Sequence, residues 1–290
     1  MKKSFVYVNG SIVPRERAMV SAFDRGLLYG DGVFETMRAY GGEVFRLGDH
    51  LRRLRKSARE LRLALPLPAG ELAGAIRALI ERNKLPDAYI RITLTRGPHS
   101  GSLALQTDLP ATLIIDCRPV TPYPDAWYRR GIRLAISQSR RGTSQIAPRH
   151  KVLSYVENLL ALDAARGRGA DEALILTEQG HLCEGATSNI FIVCGKRILT
   201  PSDATNLLSG VTRGTVLRLC RRAGIEVAEG LFTPEDAFAA DEVFITNSIM
   251  EIMPVAAIDN HAIRLCPGPT TLRLLERYRK EARPRAVKRL

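Results

Sequence analysis

The sequence lacks any apolar run that approaches the roughly 18–20 residues needed to cross a bilayer. Two lysines, Lys2 and Lys3, stand near its start, but no long apolar segment or small-residue cleavage site follows them, as it would in a secretion signal. Aromatic residues make up only 6% of the chain, whereas 45% of residues are apolar and 25% are charged, an ordinary balance for a globular protein. We therefore expect a cytoplasmic protein that has no membrane partner.

Cysteine and histidine are also scarce and scattered. The chain has five of each, and no two cysteines show C-x-x-C spacing. A disulfide framework in a small secreted domain has an even number of cysteines, and a zinc site needs closely spaced ligands. The sequence therefore predicts neither a disulfide framework nor a metal site.

Acidic residues are fewer than basic ones, 30 against 43, which gives a formal net charge of +13. A basic chain can indicate nucleic-acid binding. Here, however, the arginines are spread over nearly every segment, and no nucleic-acid-binding motif accompanies them. We expect no nucleic-acid partner, although the charge would attract phosphates and carboxylates toward a cleft.

A proline-rich segment separates the two halves of the chain. Arg118–Asp125 has three prolines in a short window, and prolines interrupt both helix and sheet. Helical and strand patterns are mixed on both sides of it, for example a helix at Arg46–Leu63 and a strand at Tyr89–Thr95. The sequence predicts an α+β (mixed α/β) fold. The expected domains are a small N-terminal α/β domain at 1–121, a linker at 122–130 and a larger C-terminal domain at 131–290.

Lys151 lies where a loop rich in glycine, serine and proline meets a helix predicted at Val152–Arg166. Arg149 and His150 precede it, and both nearby positive charge and desolvation lower the pKa of a lysine, which makes its amine a usable nucleophile. Tyr155 follows one turn later, on the same face of the predicted helix. Taken alone, this position is better explained as one surface cation among many in a basic chain.

Two other segments have the pattern of a site. Glu184-Gly185, followed by small polar residues, predicts a tight turn that enters a strand, where a solvent-exposed glutamate is the simpler explanation. Gly210 precedes a helix with Thr212 and Arg213 in its first turn, and the free N–H groups of such a turn suit a phosphate. A plain helix cap explains that pattern equally well.

In their order and spacing, these segments resemble the fold-type IV enzymes, which depend on pyridoxal 5'-phosphate (PLP). This class IV family includes branched-chain aminotransferases, D-amino-acid aminotransferases and aminodeoxychorismate lyases. The resemblance runs along nearly the whole chain, in the following segments: Tyr7–Gly10, Tyr29–Thr36, His50–Leu54, Lys151 with Tyr155, Gly169–Ala173, Glu184-Gly185 and Gly210–Arg213.

The resemblance implies that PLP is the cofactor and that it lies between the small N-terminal and the larger C-terminal domain. It implies a homodimer, in which a partner loop near Gly97–Leu105 closes the site. Lys151 would form the Schiff base and carry protons, Glu184 would pair with the pyridinium nitrogen, and Tyr155 would donate to the ring O3′. The other cofactor contacts implied are Arg53, Leu208, Val211, Thr212 and Ser248.

The resemblance leaves two reactions open. An aminotransferase would move an amino group between a branched-chain-like amino acid and a 2-oxo acid. Aminodeoxychorismate lyase would convert 4-amino-4-deoxychorismate to 4-aminobenzoate and pyruvate, a step of folate synthesis. The substrate contacts implied are Tyr29, Phe34, Thr36, Arg38, Tyr89, Arg91, Asn247 and Ile249.

Some of these residues favour the aminotransferase and others the lyase. Tyr89 and Arg91 alternate on one face of a strand, so both can face one cavity, and they match the pocket of branched-chain enzymes. Thr36 stands where branched-chain enzymes usually carry glycine, and its hydroxyl is more polar than a pocket for leucine requires. Asn247 also lies in a turn that is more similar to that of the lyases. We favour the aminotransferase; a binding protein without activity is disfavoured because Lys151 and Glu184 are both present.

Overall fold

The computed structural model describes residues 4–99, 101, 103–105 and 110–283. Its helices are α1 Arg25–Tyr29, α2 Leu47–Glu60, α3 Ala69–Asn83, α4 Asp125–Arg130, α5 Val156–Gly167, α6 Val211–Arg222, α7 Pro234–Phe238 and α8 Pro269–Ala282. Its strands are β1 Phe5–Val8, β2 Ser11–Pro14, β3 Gly32–Tyr40, β4 Glu43–Val44, β5 Ala88–Thr95, β6 Thr112–Pro119, β7 Ile132–Arg141, β8 Glu172–Thr177, β9 Leu182–Gly185, β10 Asn189–Cys194, β11 Arg197–Pro201, β12 Glu226–Gly230, β13 Glu242–Asn247, β14 Glu251–Ile258 and β15 His261–Ala262. The mixed α/β fold predicted from the sequence is confirmed.

Contacts within the chain divide it into two compact units. The first unit takes in the residues up to Thr121 together with His150–Ser154, and the second takes in Pro122–Arg149 and the residues from Tyr155 onward. Residues 125–130, which lie in the predicted linker, form helix α4 of the second unit. Ser100 and Ser102, in the loop that the resemblance assigns to a partner, lie outside the described residues.

The first unit is built on a six-stranded sheet with the strand order β2-β1-β6-β5-β3-β4. Strand β5 shows why it forms: Ala88, Ile90, Ile92 and Leu94 are buried, whereas the residues between them up to Thr93 are only half-buried. Because side chains alternate along a strand, the buried set lies on one face. That face packs against the apolar sides of α2 and α3.

The opposite face of this sheet has polar and aromatic side chains. In the antiparallel register of β3 and β5, Phe34 pairs with Thr93, Thr36 with Arg91, and Arg38 with Tyr89. Partners in register share a face, so these side chains lie together. We call this the polar face, defined by Phe34, Thr36, Arg38, Tyr89, Arg91 and Thr93.

The helix predicted at Val152–Arg166 begins later than expected. Helix α5 starts at Val156, with Tyr155 as its N-cap residue, and residues 151–155 are not helical. Val152 bridges Val33, and the N–H of Leu153 donates to the Gly32 carbonyl at 2.9 Å. The prediction that Lys151 and Tyr155 share a helix face was therefore wrong, because backbone pairing with β3 replaces the local helical preference.

The second unit is built on a nine-stranded mixed sheet. Eight of its strands follow the order β12-β11-β10-β13-β14-β7-β8-β9, and β15 pairs with β14. Its β9 end carries Glu184, which pairs in register with Ile175 of β8. Along β10, Asn189 pairs with Thr246 of β13. Of the residues predicted for the site, Glu184 lies at this end of β9, and Val211 and Thr212 lie at the start of α6.

Candidate active site

Lys151 is fixed by the backbone of β3. Its carbonyl accepts a hydrogen bond from the N–H of Phe34 at 2.8 Å, and its Nζ lies 4.5 Å from the centre of the Phe34 ring. A cation at this distance is attracted by the ring's π-electrons. The side chain is half-buried on the polar face. Lys151 is therefore not a solvated surface cation, which was the simpler explanation from the sequence alone.

Arg91 lies beside the same aromatic ring. Its guanidinium carbon is 3.8 Å from the centre of the Phe34 ring, and its Nε donates to the Thr93 hydroxyl at 3.3 Å. Tyr89, two residues earlier on β5, has the Arg118 guanidinium over its ring at 4.2 Å. The polar face thus combines aromatic surfaces with guanidinium groups, which suits an amino or 2-oxo acid that has both an apolar part and a carboxylate.

On the other side of β3, a buried group of charged residues surrounds Glu35. The Nε and Nη2 atoms of Arg53 each donate to its carboxylate at 2.7 Å, and His50 Nδ1 lies 2.8 Å from its Oε2. Burial alone would raise the pKa of Glu35, but the charge and hydrogen bonds of Arg53, with the hydrogen bond of His50, hold it at about 2. Burial lowers the pKa of His50, so its ring is neutral and its Nδ1 must be the donor.

Tyr29 is not brought together with the other predicted substrate residues in the contacts that the structure shows. It ends helix α1, is 46% exposed, and its ring lies 5.6 Å from the ring of His99 and 5.1 Å from the Arg25 guanidinium carbon.

Glu184 is buried, with 6% of its surface exposed, so the solvent-exposed turn glutamate suggested by the sequence was wrong. Its Oε1 accepts from Arg141 Nη2 at 3.1 Å, and its Oε2 accepts from the N–H of Leu208 at 3.0 Å. Asn189 Nδ2 lies 3.5 Å from the same Oε2 and donates to the Leu208 carbonyl at 2.9 Å. Donors of this kind favour the ionised form of a carboxylate.

Helix α6 begins without a side-chain cap. Gly210 is its N-cap residue, and Val211 and Thr212 open its first turn. The N–H groups of such a turn are donors for an anion. Arg213 does not serve that purpose, because its Nη2 donates to the Glu229 carboxylate at 2.7 Å and to the Pro201 carbonyl at 2.8 Å. Ser248, another predicted phosphate contact, is half-buried just after β13.

The hydroxyl of Tyr155 donates to the Ala186 carbonyl at 2.6 Å, and Asn158 Nδ2 donates to the same carbonyl at 2.7 Å. Asn247 closes its own turn: its Oδ1 accepts from the N–H groups of Ile249 at 3.0 Å and Met250 at 2.7 Å. Its amide Nδ2 lies 3.3 Å from the Thr187 carbonyl. The turn geometry by itself therefore explains an asparagine at this position.

Four residues of these two groups were missed by sequence reasoning: Glu35, His50, Arg141 and Asn189. Glu35 and His50 lie inside segments that carried the family resemblance, but nothing in one sequence joins Glu35 to Arg53, 18 residues away. Arg141 is 43 residues from Glu184, in a chain where arginine is abundant. These contacts can be recognised only when it is known which strands pair in the folded chain.

Within the described ranges, no helix is long and apolar enough to span a membrane. Among the same residues, no group of three or more His, Cys, Asp or Glu is arranged to hold a metal ion.

Comparison with known proteins identifies the class. Residues 32–258 match the model of the amino-transferase class IV family, and the chain belongs to that family. It is 40% identical over 276 residues to a putative branched-chain-amino-acid aminotransferase of Methanocaldococcus jannaschii, covering 94% of this chain and 95% of the relative. It is 32% identical over 278 residues to the aminodeoxychorismate lyase of Bacillus subtilis, covering 95% and 94%.

A solved structure agrees with this assignment. The branched-chain amino acid aminotransferase of T.th., crystallised with pyridoxamine 5'-phosphate, superposes with a TM-score of 0.92 at 33% identity, covering 97% of this chain and 95% of the other. The membership of the class IV aminotransferase family predicted from the motifs is confirmed, and the chain is an aminotransferase-type enzyme.

Proposed function

We propose that this aminotransferase carries PLP on Lys151 and transfers an amino group between a branched-chain-like amino acid and a 2-oxo acid. The observation that carries the proposal is the position of the Lys151 ammonium beside Phe34, on a sheet face that also presents Arg91. An amine, an aromatic surface and a guanidinium are what a lysine-dependent reaction on an amino acid requires. The branched-chain relatives support the substrate class.

The residues of each unit fit the chemistry of PLP. When bound, PLP supplies a carbonyl carbon to which an amine can be joined and a ring that accepts electron density from the substrate Cα. In the first unit, Lys151 Nζ would hold that carbon and Arg53 would bind the phosphate. In the second unit, the N–H groups of Val211 and Thr212 and the Ser248 hydroxyl would bind the phosphate.

Glu184 supplies the charge that the ring nitrogen needs. Its carboxylate accepts hydrogen bonds from Arg141 and from the Leu208 N–H, and it would accept another from a protonated ring nitrogen. Leu208 itself would pack against the ring. Tyr155 would turn its hydroxyl proton from Ala186 to the ring O3′, and Asn158 would keep the Ala186 carbonyl hydrogen-bonded.

With PLP bound, Lys151 Nζ would be the group that takes the proton from the substrate Cα. Its place beside Phe34 keeps the amine on the polar face during this step. The other side chains of that face would orient the substrate. They are Phe34, Thr36, Arg38, Tyr89 and Arg91, and the resemblance adds Tyr29, Asn247 and Ile249.

We also propose that the enzyme is a homodimer. The first unit exposes a run of large apolar side chains around α1: Met19 80%, Phe23 67% and Leu27 70%. The second unit exposes Leu159 and Leu160 on α5. Large apolar side chains that are exposed in one subunit are often buried in a subunit interface. Light scattering after gel filtration tests this: Leu27→Glu should yield monomers, and a monomeric parent would exclude the dimer.

Two experiments test the proposed function. Borohydride reduction of the purified protein, followed by peptide mapping, should place the cofactor label on Lys151, and a label on another lysine would refute the assignment. Transamination is then measured with leucine, D-alanine or glutamate and a keto acid. Amino transfer from leucine is the expected result.

A lyase remains the second candidate, because Thr36 places a hydroxyl opposite Arg91 on the polar face and a lyase is among the relatives. Incubation with 4-amino-4-deoxychorismate separates the two reactions. Pyruvate release without detectable transamination would replace our proposal with the lyase.

A further inference from the structure

A buried carboxylate holds the guanidinium that we assign to the cofactor phosphate. Glu35 is only 1% exposed and accepts two hydrogen bonds of 2.7 Å from Arg53, one from Nε and one from Nη2. Such a two-point pair fixes the plane of the guanidinium as well as its position. The family resemblance implies a phosphate contact for Arg53 and no role for its carboxylate partner.

We propose that Glu35 is a positioning residue, which aims Arg53 at the phosphate of PLP. The inference rests on the proposed function in one respect only, namely that Arg53 contacts this phosphate. A guanidinium offers donors on more than one edge. Because Glu35 binds the Nε–Nη2 edge, the edge formed by Nη1 and the second proton of Nη2 is the one that would meet the phosphate.

His50 completes this arrangement from the same helix as Arg53. Its ring is neutral, so its Nδ1–H donates to Glu35 Oε2 without neutralising the carboxylate. The negative charge of Glu35 is therefore balanced by Arg53. Substituting an amide for the carboxylate would remove that charge and one of the two acceptor oxygens, so the plane of the Arg53 guanidinium would be fixed less firmly.

Strand β3 connects this group to Lys151. Phe34 binds the Lys151 carbonyl through its N–H, and the next residue, Glu35, binds Arg53 through its side chain. Burial is the main cause of the lowered pKa of His50, and the charges of Arg53 and then Lys151 also lower it. Two adjacent residues of one strand thus fix the positions of both the Lys151 backbone and the Arg53 guanidinium.

The test compares PLP with pyridoxal, which has the same aldehyde and ring but no phosphate. Dissociation constants are measured on full-length protein freed of cofactor, for the parent, Glu35→Gln and the exposed control Glu43→Gln on β4. Glu35→Gln should weaken PLP binding by about 10- to 100-fold, the range of one lost charged hydrogen bond. Pyridoxal binding should change by less than about 2-fold, and Glu43→Gln should change neither.

Two further variants keep the outcomes distinct. Arg53→Lys tests the proposed phosphate contact itself and should also lose the preference for PLP over pyridoxal. The double variant Glu35→Gln/Arg53→Lys should lose no more than Arg53→Lys alone, since both act through one contact. If Glu35→Gln does not fold, Glu35→Asp, which keeps the charge but shortens the reach, should give an intermediate preference.

Each outcome decides something. If Arg53→Lys loses the preference and Glu35→Gln keeps it, the inference fails while the proposed function stands. If neither variant alters it, Arg53 does not bind the phosphate, and the inference falls with that assignment. If Glu35→Gln weakens PLP and pyridoxal equally, Glu35 supports only the fold, which overturns the positioning role.

Discussion

Gly210 lies so close to Asn189 that its position has no space for a methyl group. A Cβ on Gly210 would overlap the Asn189 Oδ1 and lie 3.2 Å from its Cγ and 3.3 Å from the Cβ of Arg213. The backbone itself would accept alanine, since its φ of −65° and ψ of 137° are ordinary for any residue. The effect of Gly210→Ala is therefore one of packing, at the residue that starts α6.

The loss of stability in Gly210→Ala depends on which interactions of Asn189 would be broken. The side chain is buried, and its Nδ2 donates to the Leu208 carbonyl at 2.9 Å. Moving it away loses that hydrogen bond, about 0.5–1.5 kcal/mol, and any remaining overlap adds strain of the order found for overpacked cores. We expect the free energy of unfolding to fall by about 1–3 kcal/mol. PLP affinity should fall as well, because the α6 N–H groups and the Leu208 N–H that binds Glu184 move with this turn.

Urea unfolding of parent and variant measures the first effect, from the midpoint at an unchanged m-value. Gly214→Ala is the matched control on the same helix, because the nearest atom to its added Cβ is the flexible Arg218 Nη1 at 3.6 Å. That variant should gain about 0.5–1 kcal/mol from helix propensity. Asn189→Ser should recover part of the loss in Gly210→Ala. A Gly210→Ala protein as stable as Gly214→Ala would refute the packing argument.

Three further outcomes are expected. Glu184→Gln should still bind PLP but remove the substrate Cα proton several orders of magnitude more slowly, because the ring nitrogen loses its anionic partner. Single-turnover absorbance measures this rate, and an unchanged rate would exclude Glu184 from the role. Thr36→Gly should leave kcat/KM for leucine unchanged or raised, whereas in a lyase it should cost about 1–3 kcal/mol of transition-state stabilisation, so kinetics of both reactions decide. For acid stability, the folded-state pKa of Glu35, about 2, lies below its ordinary 4.5, so its contribution is complete above the higher value and is lost as the pH falls toward the lower one. Integrated over that interval it amounts to about 3 kcal/mol, and urea midpoints between pH 5 and pH 2 should fall less steeply in Glu35→Gln, an equal slope being the contrary result.

Patterns local to one element could be interpreted from the sequence, and contacts between distant strands could not. The alternation of β5 placed Tyr89 and Arg91 on one face, as the structure has them, because a strand's period of two is set by its own backbone. The segment after Lys151 has a helical pattern, yet residues 151–153 pair with β3, since a tertiary partner outweighs a weak local preference.

The burial of charged side chains could not be predicted from the sequence either. A glutamate before a glycine looks like a surface turn unless its partners are known, and the partners of Glu184 come from β7 and from the segment before α6. The family resemblance supplied the role of Glu184, but the residues around it emerge only from the folded chain. The same holds for Glu35, whose neighbour Phe34 faces the opposite side of the sheet.

The alternation along β3 has a consequence for how this enzyme can change over evolution. Phe34 and Glu35 serve opposite sides of a single strand, so the insertion or deletion of one residue between Gly32 and Phe34 would exchange the two sides. It would turn the carboxylate toward the amine of Lys151 and bury the aromatic ring among the helices. Point substitutions on the polar face can diversify the substrate one residue at a time, whereas a change in the length of β3 would disable both halves of the first unit's site at once. Variants of this enzyme should accordingly differ in composition along β3 and be uniform in its length.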